Sequence, residues 1–330
     1  MLPRPSDDEV GPMIPSAKEV EHARELLSRY LRPTRLVSAA SLAQRSGARV
    51  HLKIETDLPT GSFKPRGAMY ALLTTAAQRP VSGVVAASTG NHGAAVAYAA
   101  RIAKVGATIF LPENPNPVKR ARILALGAKV IERGAMGSSS ASEAAAEFAC
   151  EHGHYFLNDG SDPLVPAGTA TIATEILDEI PKPDVVFVPM GDTALIRGVA
   201  AEAKRRHPGV RIVGVQAEQA PAYVRSWQQR RLVITDKCDT IADGLASLHP
   251  VEANVTAIRE MVDEVRLVSE SELLDAIRIL LLDEHVVAEG AGAAATAAFL
   301  QNPSAYADAK IVLLVTGANI SPEVLRRAVT

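Results

Sequence analysis

Cysteine and aromatic residues are scarce in this chain. The 330 residues include 2 cysteines, Cys150 and Cys238, and 4% aromatic residues. Two cysteines cannot build a disulfide framework, and no group of cysteines and histidines has the spacing of a zinc site. The reduced cytoplasm is therefore the expected compartment.

An excess of charge of one sign is absent as well, and so are long hydrophobic runs. The chain has 35 Lys+Arg against 37 Asp+Glu, a formal net charge of −2, which argues against the basic footprint of a nucleic-acid-binding protein. Gly, Glu or Asp interrupts each apolar run well before about 18 residues, which excludes a membrane span. The polar, proline-containing start over residues 1–13 lacks the order of a signal peptide. We expect a globular protein with neither a nucleic-acid nor a membrane partner.

Short β-branched runs alternate along the chain with alanine-rich helical segments. This alternation predicts an α/β fold of open twisted domains with mainly parallel sheets. The predicted strands are 50–55, 83–88, 107–112, 128–133, 184–190, 210–217 and 310–317. The predicted helices are 17–30, 66–77, 92–104, 117–126, 138–152, 168–179, 194–206, 270–284 and 291–300.

The strand and helix pattern also predicts two domains. Residues 83–159 contain three strand–helix units of their own, so we expect them to form a smaller inserted α/β domain. Residues 1–82 and 160–330 then form a larger, discontinuous domain.

The first chemical motif is the segment T-G-S-F-K-P-R-G-A over residues 60–68, after a strand and before a helix. This position brings Lys64 to the carboxyl edge of the sheet, where open α/β proteins bind ligands. A partly desolvated amine there is expected to have a lowered pKa and to act as a nucleophile toward a carbonyl. Taken alone, an exposed lysine at a helix start is the favoured explanation of the motif.

The second motif, S-T-G-N-H-G over residues 88–93, also leads from a strand into a helix. Backbone N–H groups at a helix N-terminus, approached closely through glycines, can bind a carboxylate or a phosphate. Ordinary turn geometry is the alternative explanation of the glycines, and a structural role that of His92. The motif is not G-x-G-x-x-G, so a nicotinamide-dependent oxidoreductase is not indicated.

Two further motifs stand at strand ends. Gly191-Asp192-Thr193-Ala194-Leu195 has the position of a phosphate cradle, but taken alone it predicts a helix capped by Asp192. At the end of the last predicted strand, Thr316 is expected to turn its hydroxyl toward the same crevice. A core or turn threonine is the alternative.

The four motifs, in this order, resemble those of the pyridoxal-phosphate (PLP) dependent serine/threonine dehydratases. This group of fold type II enzymes, which share a tryptophan synthase β-like fold, also holds serine racemase and β-hydroxyaspartate dehydratase. The resemblance runs from about residue 17 to the C-terminus, and the S-F-K-x-R-G-A and S-T-G-N-H-G elements carry it.

The resemblance implies how this chain holds the cofactor. Lys64 would form the imine with PLP, Phe63 would flank the ring, Asn91 would bind the 3′-oxygen, and Thr316 would face the ring nitrogen. A hydroxyl there leaves the ring neutral and favours rapid loss of a β-substituent. The cofactor phosphate would be bound by Gly191, Asp192, Thr193, Ala194 and Leu195. Arg66 would be structural.

The resemblance also implies a substrate site. The substrate carboxylate would be bound by Ser88, Thr89, Gly90, Asn91 and His92. Racemases of the group use a serine at the position of Thr89 as a second catalytic base. Threonine keeps a hydroxyl there, but its extra methyl group disfavours racemisation as the main activity. Lys64 and Thr89 are thus the catalytic candidates.

The implied activity is that of an ammonia-lyase. Lys64 would remove the Cα proton from L-threonine, L-serine or a related β-hydroxy amino acid, the β-hydroxyl would leave, and a 2-oxo acid and ammonia would follow. A β-hydroxyaspartate dehydratase or a serine racemase-like enzyme is the alternative. β-Replacement of the cysteine synthase type is less favoured, because those enzymes usually lack the P-R-G-A continuation after the lysine.

Two departures from the family pattern limit what can be transferred. Asp192-Thr193-Ala194 replaces glycines of the phosphate loop, so Asp192 must point away or be paired, with Arg197 as the candidate partner. Gln216 and Ala222 stand where some members have two anionic metal ligands, so we expect no metal.

Three expectations remain. Glu289, in A-E-G-A-G, is a further candidate for the active site, whereas Asp243, in A-D-G-L-A, is expected to be structural. The partner implied by the resemblance is a small amino-acid substrate. Relatives are often dimers or tetramers, so a homodimer or homotetramer is expected.

Overall fold

The chain folds around two β-sheets flanked by helices. The computed structural model describes residues 13–88, 90–113, 115, 117–133, 140–236 and 238–330. The strands are β1 Leu36–Ser38, β2 Arg49–Ile54, β3 Gly83–Ala87, β4 Gly106–Leu111, β5 Lys129–Glu132, β6 Tyr155–Phe156, β7 Val185–Pro189, β8 Arg211–Ala217, β9 Glu264–Val268 and β10 Lys310–Val315.

Helices connect most of these strands. They are α1 Ala17–Ser28, α2 Ala40–Ser46, α3 Pro65–Gln78, α4 Asn91–Ala103, α5 Pro117–Ala125, α6 Ser140–His152, α7 Val165–Glu179, α8 Ala194–Arg206, α9 Ala222–Gln229, α10 Glu252–Met261, α11 Glu270–Leu282, α12 Gly290–Leu300 and α13 Pro322–Val329. None of the described helices has both the length and the apolar character needed to cross a membrane.

The two sheets are mainly parallel. The larger has the strand order β1-β2-β10-β7-β8-β9, in which only β1 pairs antiparallel with its neighbour, and the smaller has the order β5-β4-β3-β6. The α/β prediction with mainly parallel sheets is confirmed. All strands of the smaller sheet lie between Gly83 and Phe156. The domain boundaries at 82/83 and 159/160 stay a prediction.

The sequence pattern found the central strands but missed the short and peripheral ones. All seven predicted strands form, with ends that differ by at most two residues, and the nine predicted helices form with ends within three residues. The pattern missed β1, β6 and β9, and also the helices α2, α9, α10 and α13. The strands β1 and β9 are half-buried edge strands and β6 has two residues, so none shows the apolar run that marks a buried strand.

Both faces of the larger sheet are buried under helices. In β7, Val185 and Phe187 pack in one core with α11 and α12, while Val186 and Val188 pack on the opposite face with α7 and α8. This alternation follows from the two-residue period of a strand, and it explains why the central strands are apolar at every position. A sheet enclosed in this way leaves its strand ends as the place where polar groups can meet.

Helix α3 is held tightly against α7, and this packing fixes the loop that precedes α3. A Cβ atom at Gly168 of α7 would lie 2.3 Å from the Arg66 carbonyl oxygen, so only glycine permits the approach. Pro65 occupies the first turn of α3, where its missing N–H costs nothing. Lys64 therefore stands at a rigid helix start.

A buried network of charges lies beneath the same helix. The Arg66 guanidinium donates to Glu55 at 2.7 and 3.0 Å and to Glu175 at 2.6 and 2.8 Å, and Lys53 binds Glu175 at 2.6 Å. Arg66 is 2% exposed and Lys53 0%. Arg66 does not line the cavity described below, in agreement with the structural role expected for it.

We predict that Arg66→Met lowers the free energy of unfolding by about 3–5 kcal/mol, because it leaves the buried Glu55 carboxylate without its cation and Glu175 with Lys53 alone. Urea unfolding measures the loss. Arg29→Met is the matched control: Arg29 pairs with Glu25 on the surface, so its loss should stay within about 0.5 kcal/mol. Equal losses in the two variants would contradict the account.

The pH dependence of this loss has a defined sign. Burial raises the pKa of Glu175, but Arg66 and Lys53 lower it by more, so the pKa lies below its ordinary value. The stabilisation is present above the unfolded pKa of Glu175 and disappears as the pH falls through the lower folded pKa. The difference between wild type and Arg66→Met should therefore shrink in acid.

Candidate active site

A cavity of about 530 Å³ opens at the carboxyl ends of strands from both sheets. Carboxyl ends of parallel strands share one edge of a sheet, which is where α/β proteins bind ligands. The predicted site residues that line it are Phe63, Lys64, Ser88, Gly90, Asn91, His92, Gly191, Asp192, Thr193, Ala194, Leu195, Glu289 and Thr316. Thr89 lies outside the described residues. The structure thus brings the four motifs together, while the role of each residue stays a prediction.

The loop that carries Lys64 is tied to the end of β10. Ser62 forms an antiparallel bridge with Gly317, and the Phe63 N–H donates to the Thr316 carbonyl oxygen at 3.0 Å. These backbone contacts hold Phe63, Lys64 and Thr316 at one wall of the cavity. The Thr316 hydroxyl itself donates to the Ala291 carbonyl oxygen at 3.3 Å.

The Lys64 ammonium contacts the carboxylate of Asp159. Burial lowers the pKa of Lys64, but Asp159, Asp192 and Glu289 raise it by more, so the pKa lies above its ordinary value. The expectation of a lowered pKa is therefore wrong for Lys64 in this structure. It considered desolvation alone and could not include a carboxylate that lies 95 residues away in the sequence.

Asp159 is a site residue that the sequence patterns did not indicate. It follows the two-residue strand β6, and the side chain lies 3.7 Å from His92 Nδ1 as well as at Lys64. Burial raises the pKa of Asp159, but His92 and Lys64 lower it by more, so the pKa lies well below its ordinary value. The sequence feature that could have indicated Asp159 is the Asp-Gly pair at 159–160, which follows the aromatic pair Tyr155–Phe156.

His92 is oriented by the backbone next to Asp159. His92 Nε2 lies 2.9 Å from the Leu157 carbonyl oxygen, which can only accept, so Nε2 carries the hydrogen. Nδ1 then faces the Asp159 carboxylate. The ring is 6% exposed, so its interactions are with protein groups and the cavity.

The loop over 191–195 forms a helix start without a side-chain cap. Thr193, not Asp192, is the N-cap residue of α8, and it makes no capping hydrogen bond, so the cap predicted for Asp192 is wrong. Thr193 has φ +69°, the left-handed region that favours glycine, and is 1% exposed. A Cβ atom at Gly191 would lie 2.4 Å from the Gly244 carbonyl oxygen, so glycine is required there. The first N–H groups of α8 thus remain available to a ligand.

Asp192 is exposed on the cavity wall and hydrogen-bonds with Ser247. Surrounding protein and the Asp159 charge raise the pKa of Asp192, against the opposing effect of Lys64. A direct pair between Asp192 and Arg197 is not formed. The Arg197 guanidinium donates instead to three neutral oxygens, which are Thr193 Oγ1 at 3.1 Å, the Met13 carbonyl at 3.0 Å and the Gly160 carbonyl at 3.3 Å. Burial lowers the pKa of Arg197 to about 10.

Asn91, which also lines the cavity, joins α4 to two other elements. Asn91 Nδ2 donates to Glu289 Oε1 at 2.5 Å, and Asn91 Oδ1 accepts from Asn319 Nδ2 at 2.6 Å. Glu289 is the N-cap residue of α12 and is 4% exposed, and burial raises its pKa against the opposing effects of Lys119 and Asn91. Glu289 thus belongs to the site geometrically.

The structural role expected for Asp243 stays a prediction. Its carboxylate lies on the cavity wall and forms an ion pair with Lys119 of α5. No periodicity in the surrounding A-D-G-L-A segment distinguishes a wall residue from a core residue, because the segment forms an irregular turn over Asp243–Leu245.

The positions compared with metal ligands are used within the protein. Gln216 Oε1 accepts from the Val224 N–H at 3.0 Å, and both Gln216 and Ala222 are buried. Within the part of the chain that the structure describes, no three His, Cys, Asp or Glu side chains are grouped so that they could hold a metal ion. The absence of a metal from the working enzyme stays a prediction.

This chain is similar to known sequences over most of its length. An L-threonine ammonia-lyase from Thermotoga maritima is 36% identical over 312 residues, which cover 94% of this chain and 77% of that protein. A catabolic L-threonine dehydratase from Staphylococcus aureus is 35% identical over 311 residues, 93% of this chain and 90% of that protein.

Solved structures are similar to this chain as well. Maize serine racemase matches with a TM-score of 0.88 and 27% identity, covering 94% of this chain and 95% of its own. The T.th. threonine deaminase matches with a TM-score of 0.86 and 33% identity, covering 93% of this chain and 99% of its own. Residues 27–317 match the family described as pyridoxal-phosphate dependent enzyme. The chain therefore belongs to the pyridoxal-phosphate dependent enzymes, and the resemblance seen in its motifs is confirmed.

Proposed function

We propose that this chain is a PLP-dependent ammonia-lyase that eliminates water from L-threonine, L-serine or a related β-hydroxy amino acid. The observation that carries the proposal is the placement of Lys64 in a cavity walled by Asn91, Thr316 and the start of α8. The names of the relatives, L-threonine ammonia-lyase and L-threonine dehydratase, support the same reaction.

The residues around the cavity fit the cofactor. Lys64 offers a primary amine, the start of α8 offers N–H groups without a side-chain acceptor, and Phe63 offers an aromatic ring beside the lysine. Asp192 carries a charge of the same sign as a phosphate at that helix start, but it is exposed and hydrogen-bonds with Ser247, so solvent screens the repulsion. We therefore assign the phosphate to residues 191–195, the 3′-oxygen to Asn91 and the ring nitrogen to Thr316.

Bound PLP supplies an electron sink for the charge that develops at the substrate Cα. The protein supplies the proton chemistry: the amine of Lys64 takes the Cα proton, and the adjacent Asp159 carboxylate stabilises the ammonium that results. A hydroxyl rather than a carboxylate at Thr316 favours prompt loss of the β-hydroxyl. The N–H groups and side chains over 88–92 bind the substrate carboxylate.

The direct test is the release of ammonia and a 2-oxo acid by the cofactor-loaded protein. The panel contains L-threonine, L-serine, their D-forms and the hydroxyaspartates, with chiral analysis of the remaining substrate. Equal amounts of ammonia and 2-oxo acid from threonine or serine support the proposal. Turnover of hydroxyaspartate alone identifies hydroxyaspartate as the substrate of the same reaction. Conversion of L-serine to D-serine without ammonia indicates a racemase. No product with any compound contradicts the proposal.

We further propose a homodimer or homotetramer in the cytoplasm. Light scattering of the cofactor-loaded protein measures the assembly, and a monomeric mass would contradict it.

We predict that Lys64→Ala lowers the rate of ammonia release at least about 10³-fold, because it removes both the covalent attachment point and the base. Borohydride should fix the cofactor irreversibly to wild type but not to the variant, as absorbance and intact mass report. Lys18→Ala, an exposed lysine of α1, is the matched control and should behave as wild type. Retained activity in Lys64→Ala would refute the assignment.

We also predict that Asp159→Asn shifts the attachment of PLP to lower pH. Attachment needs the neutral amine, and Asp159 holds the pKa of Lys64 above normal. Without the carboxylate, burial dominates and the neutral amine persists to lower pH. The pH midpoint of the rate of holoenzyme formation should fall by about 1–3 units. An unchanged or higher midpoint would contradict the role of Asp159.

A further inference from the structure

The side-chain amide of Asn319, which follows β10, meets the amide of Asn91. Asn319 Nδ2 donates to the Thr60 carbonyl oxygen at 3.0 Å and to Asn91 Oδ1 at 2.6 Å, and Asn319 Oδ1 accepts from the Arg122 guanidinium. Asn91 lines the cavity, whereas Asn319 does not. Any effect of the Asn319 amide on a ligand in the cavity must therefore pass through a residue such as Asn91.

The backbone around Asn319 is tied to the loop that precedes α3. The Ala318 N–H donates to the Gly61 carbonyl oxygen at 2.9 Å, and Gly317 forms the antiparallel bridge with Ser62. A Cβ atom at Gly61 would lie 3.1 Å from Asn319 Oδ1, so the amide packs closely against this loop. Asn319 thus has a defined position from which to act on its neighbours.

The two outer partners of Asn319 determine which end of its amide is the nitrogen. The Thr60 carbonyl oxygen can only accept a hydrogen bond, and the Arg122 guanidinium can only donate one. The Asn319 nitrogen therefore points toward Thr60 and its oxygen toward Arg122. Because the same nitrogen also donates to Asn91, the Asn91 atom that meets it must be the acceptor, Oδ1. Asn91 Nδ2 is thereby directed away from Asn319, toward Glu289.

Glu289 alone does not impose this orientation on Asn91. Asn91 Nδ2 lies 2.5 Å from Glu289 Oε1, and burial raises the pKa of this carboxyl group. An ionised carboxylate accepts a hydrogen bond from an amide nitrogen, whereas a protonated carboxyl group can donate one to an amide oxygen. Either end of the Asn91 amide can therefore satisfy Glu289, and the contact with Asn319 selects the nitrogen.

We propose that Asn319 is a positioning residue, which holds the Asn91 amide with its nitrogen available to the 3′-oxygen of PLP. The Asn91 nitrogen carries two hydrogens, of which one is donated to Glu289 and the other can be donated to a ligand. An amide turned by half a rotation would bring its oxygen to the 3′-oxygen, so that two acceptors would oppose each other. The inference rests on the proposed function, which assigns the 3′-oxygen to Asn91.

Asn319→Asp tests this role, because it replaces the donating nitrogen with an oxygen and keeps the size of the side chain. The new carboxylate accepts from Asn91, so the Asn91 amide turns and presents its oxygen to the cofactor. The dissociation constant of PLP, measured by titration of the full chain and followed by absorbance, should rise about 10–100-fold. The PLP analogue that lacks the 3′-oxygen should bind wild type and this variant equally, within about threefold.

A double variant shows whether Asn319 acts through Asn91. Asn91→Ala alone should weaken PLP binding about tenfold, because it removes the donor. In the Asn91→Ala background, Asn319→Asp should change the dissociation constant by less than about threefold. If circular dichroism shows that Asn319→Asp does not fold, Asn319→Ala takes its place. Its loss of PLP affinity should be smaller, about 3–10-fold, and again absent in the Asn91→Ala background.

Asn302→Asp is the matched control, because it adds the same charge at an exposed position beyond the other end of α12. It should bind PLP as wild type does. Unchanged PLP binding in Asn319→Asp overturns the inference. So does an equal loss for PLP and for the analogue, or a loss that persists in the Asn91→Ala background, because either shows that the substitution acts through its charge or through the fold.

Release of ammonia separates this inference from the proposed function, since PLP binding is measured without substrate. Ammonia from threonine or serine, with PLP bound equally by wild type and Asn319→Asp, keeps the function and overturns the inference. The expected pattern of PLP binding, with no ammonia from any compound of the panel, supports the inference and refutes the function.

Discussion

The contact between the Lys64 ammonium and the Asp159 carboxylate is the interaction on which the site depends. Lys64 comes from the loop after β2 in the larger sheet, whereas Asp159 follows β6 in the smaller sheet. The pair thus joins the edges of the two sheets at the cavity. It also sets the proton affinity of the amine, so the same contact links the arrangement of the sheets to the chemistry.

The loop at the start of α8 holds a non-glycine residue in a backbone conformation that favours glycine. Thr193 holds a left-handed conformation that glycine adopts with less strain, and its side chain is bound by Arg197 four residues later. Asp192 adds a carboxylate to a loop that faces the expected phosphate. These departures change the charge of the cavity and leave its shape available to the cofactor. We therefore connect them with the choice of substrate and not with the type of reaction.

The sequence alone was sufficient for the central strands and for the meeting of the four motifs. Strands buried on both faces have continuous apolar runs, and parallel strands place their following loops at one edge, so Lys64, Asn91 and Thr316 could be expected to lie together. Asp159 could not be found this way, because a two-residue strand leaves no periodic pattern. The predicted direction of the pKa shift of Lys64 was wrong because the shift depends on Asp159, a neighbour that only the folded chain brings close. The position of Asp243 on the cavity wall could not be expected either, since it arises from an irregular turn over Asp243–Leu245.

The central claim is that Lys64, beside Asp159, moves the Cα proton of a bound amino acid. Exchange of that proton with solvent deuterium, followed by NMR on the cofactor-loaded protein with L-2-aminobutyrate, measures this step without any leaving group. The account predicts exchange in wild type and at least a hundredfold slower exchange, about the loss of a general base, in Lys64→Ala loaded with non-covalent PLP. Exchange at the wild-type rate in that variant would contradict it.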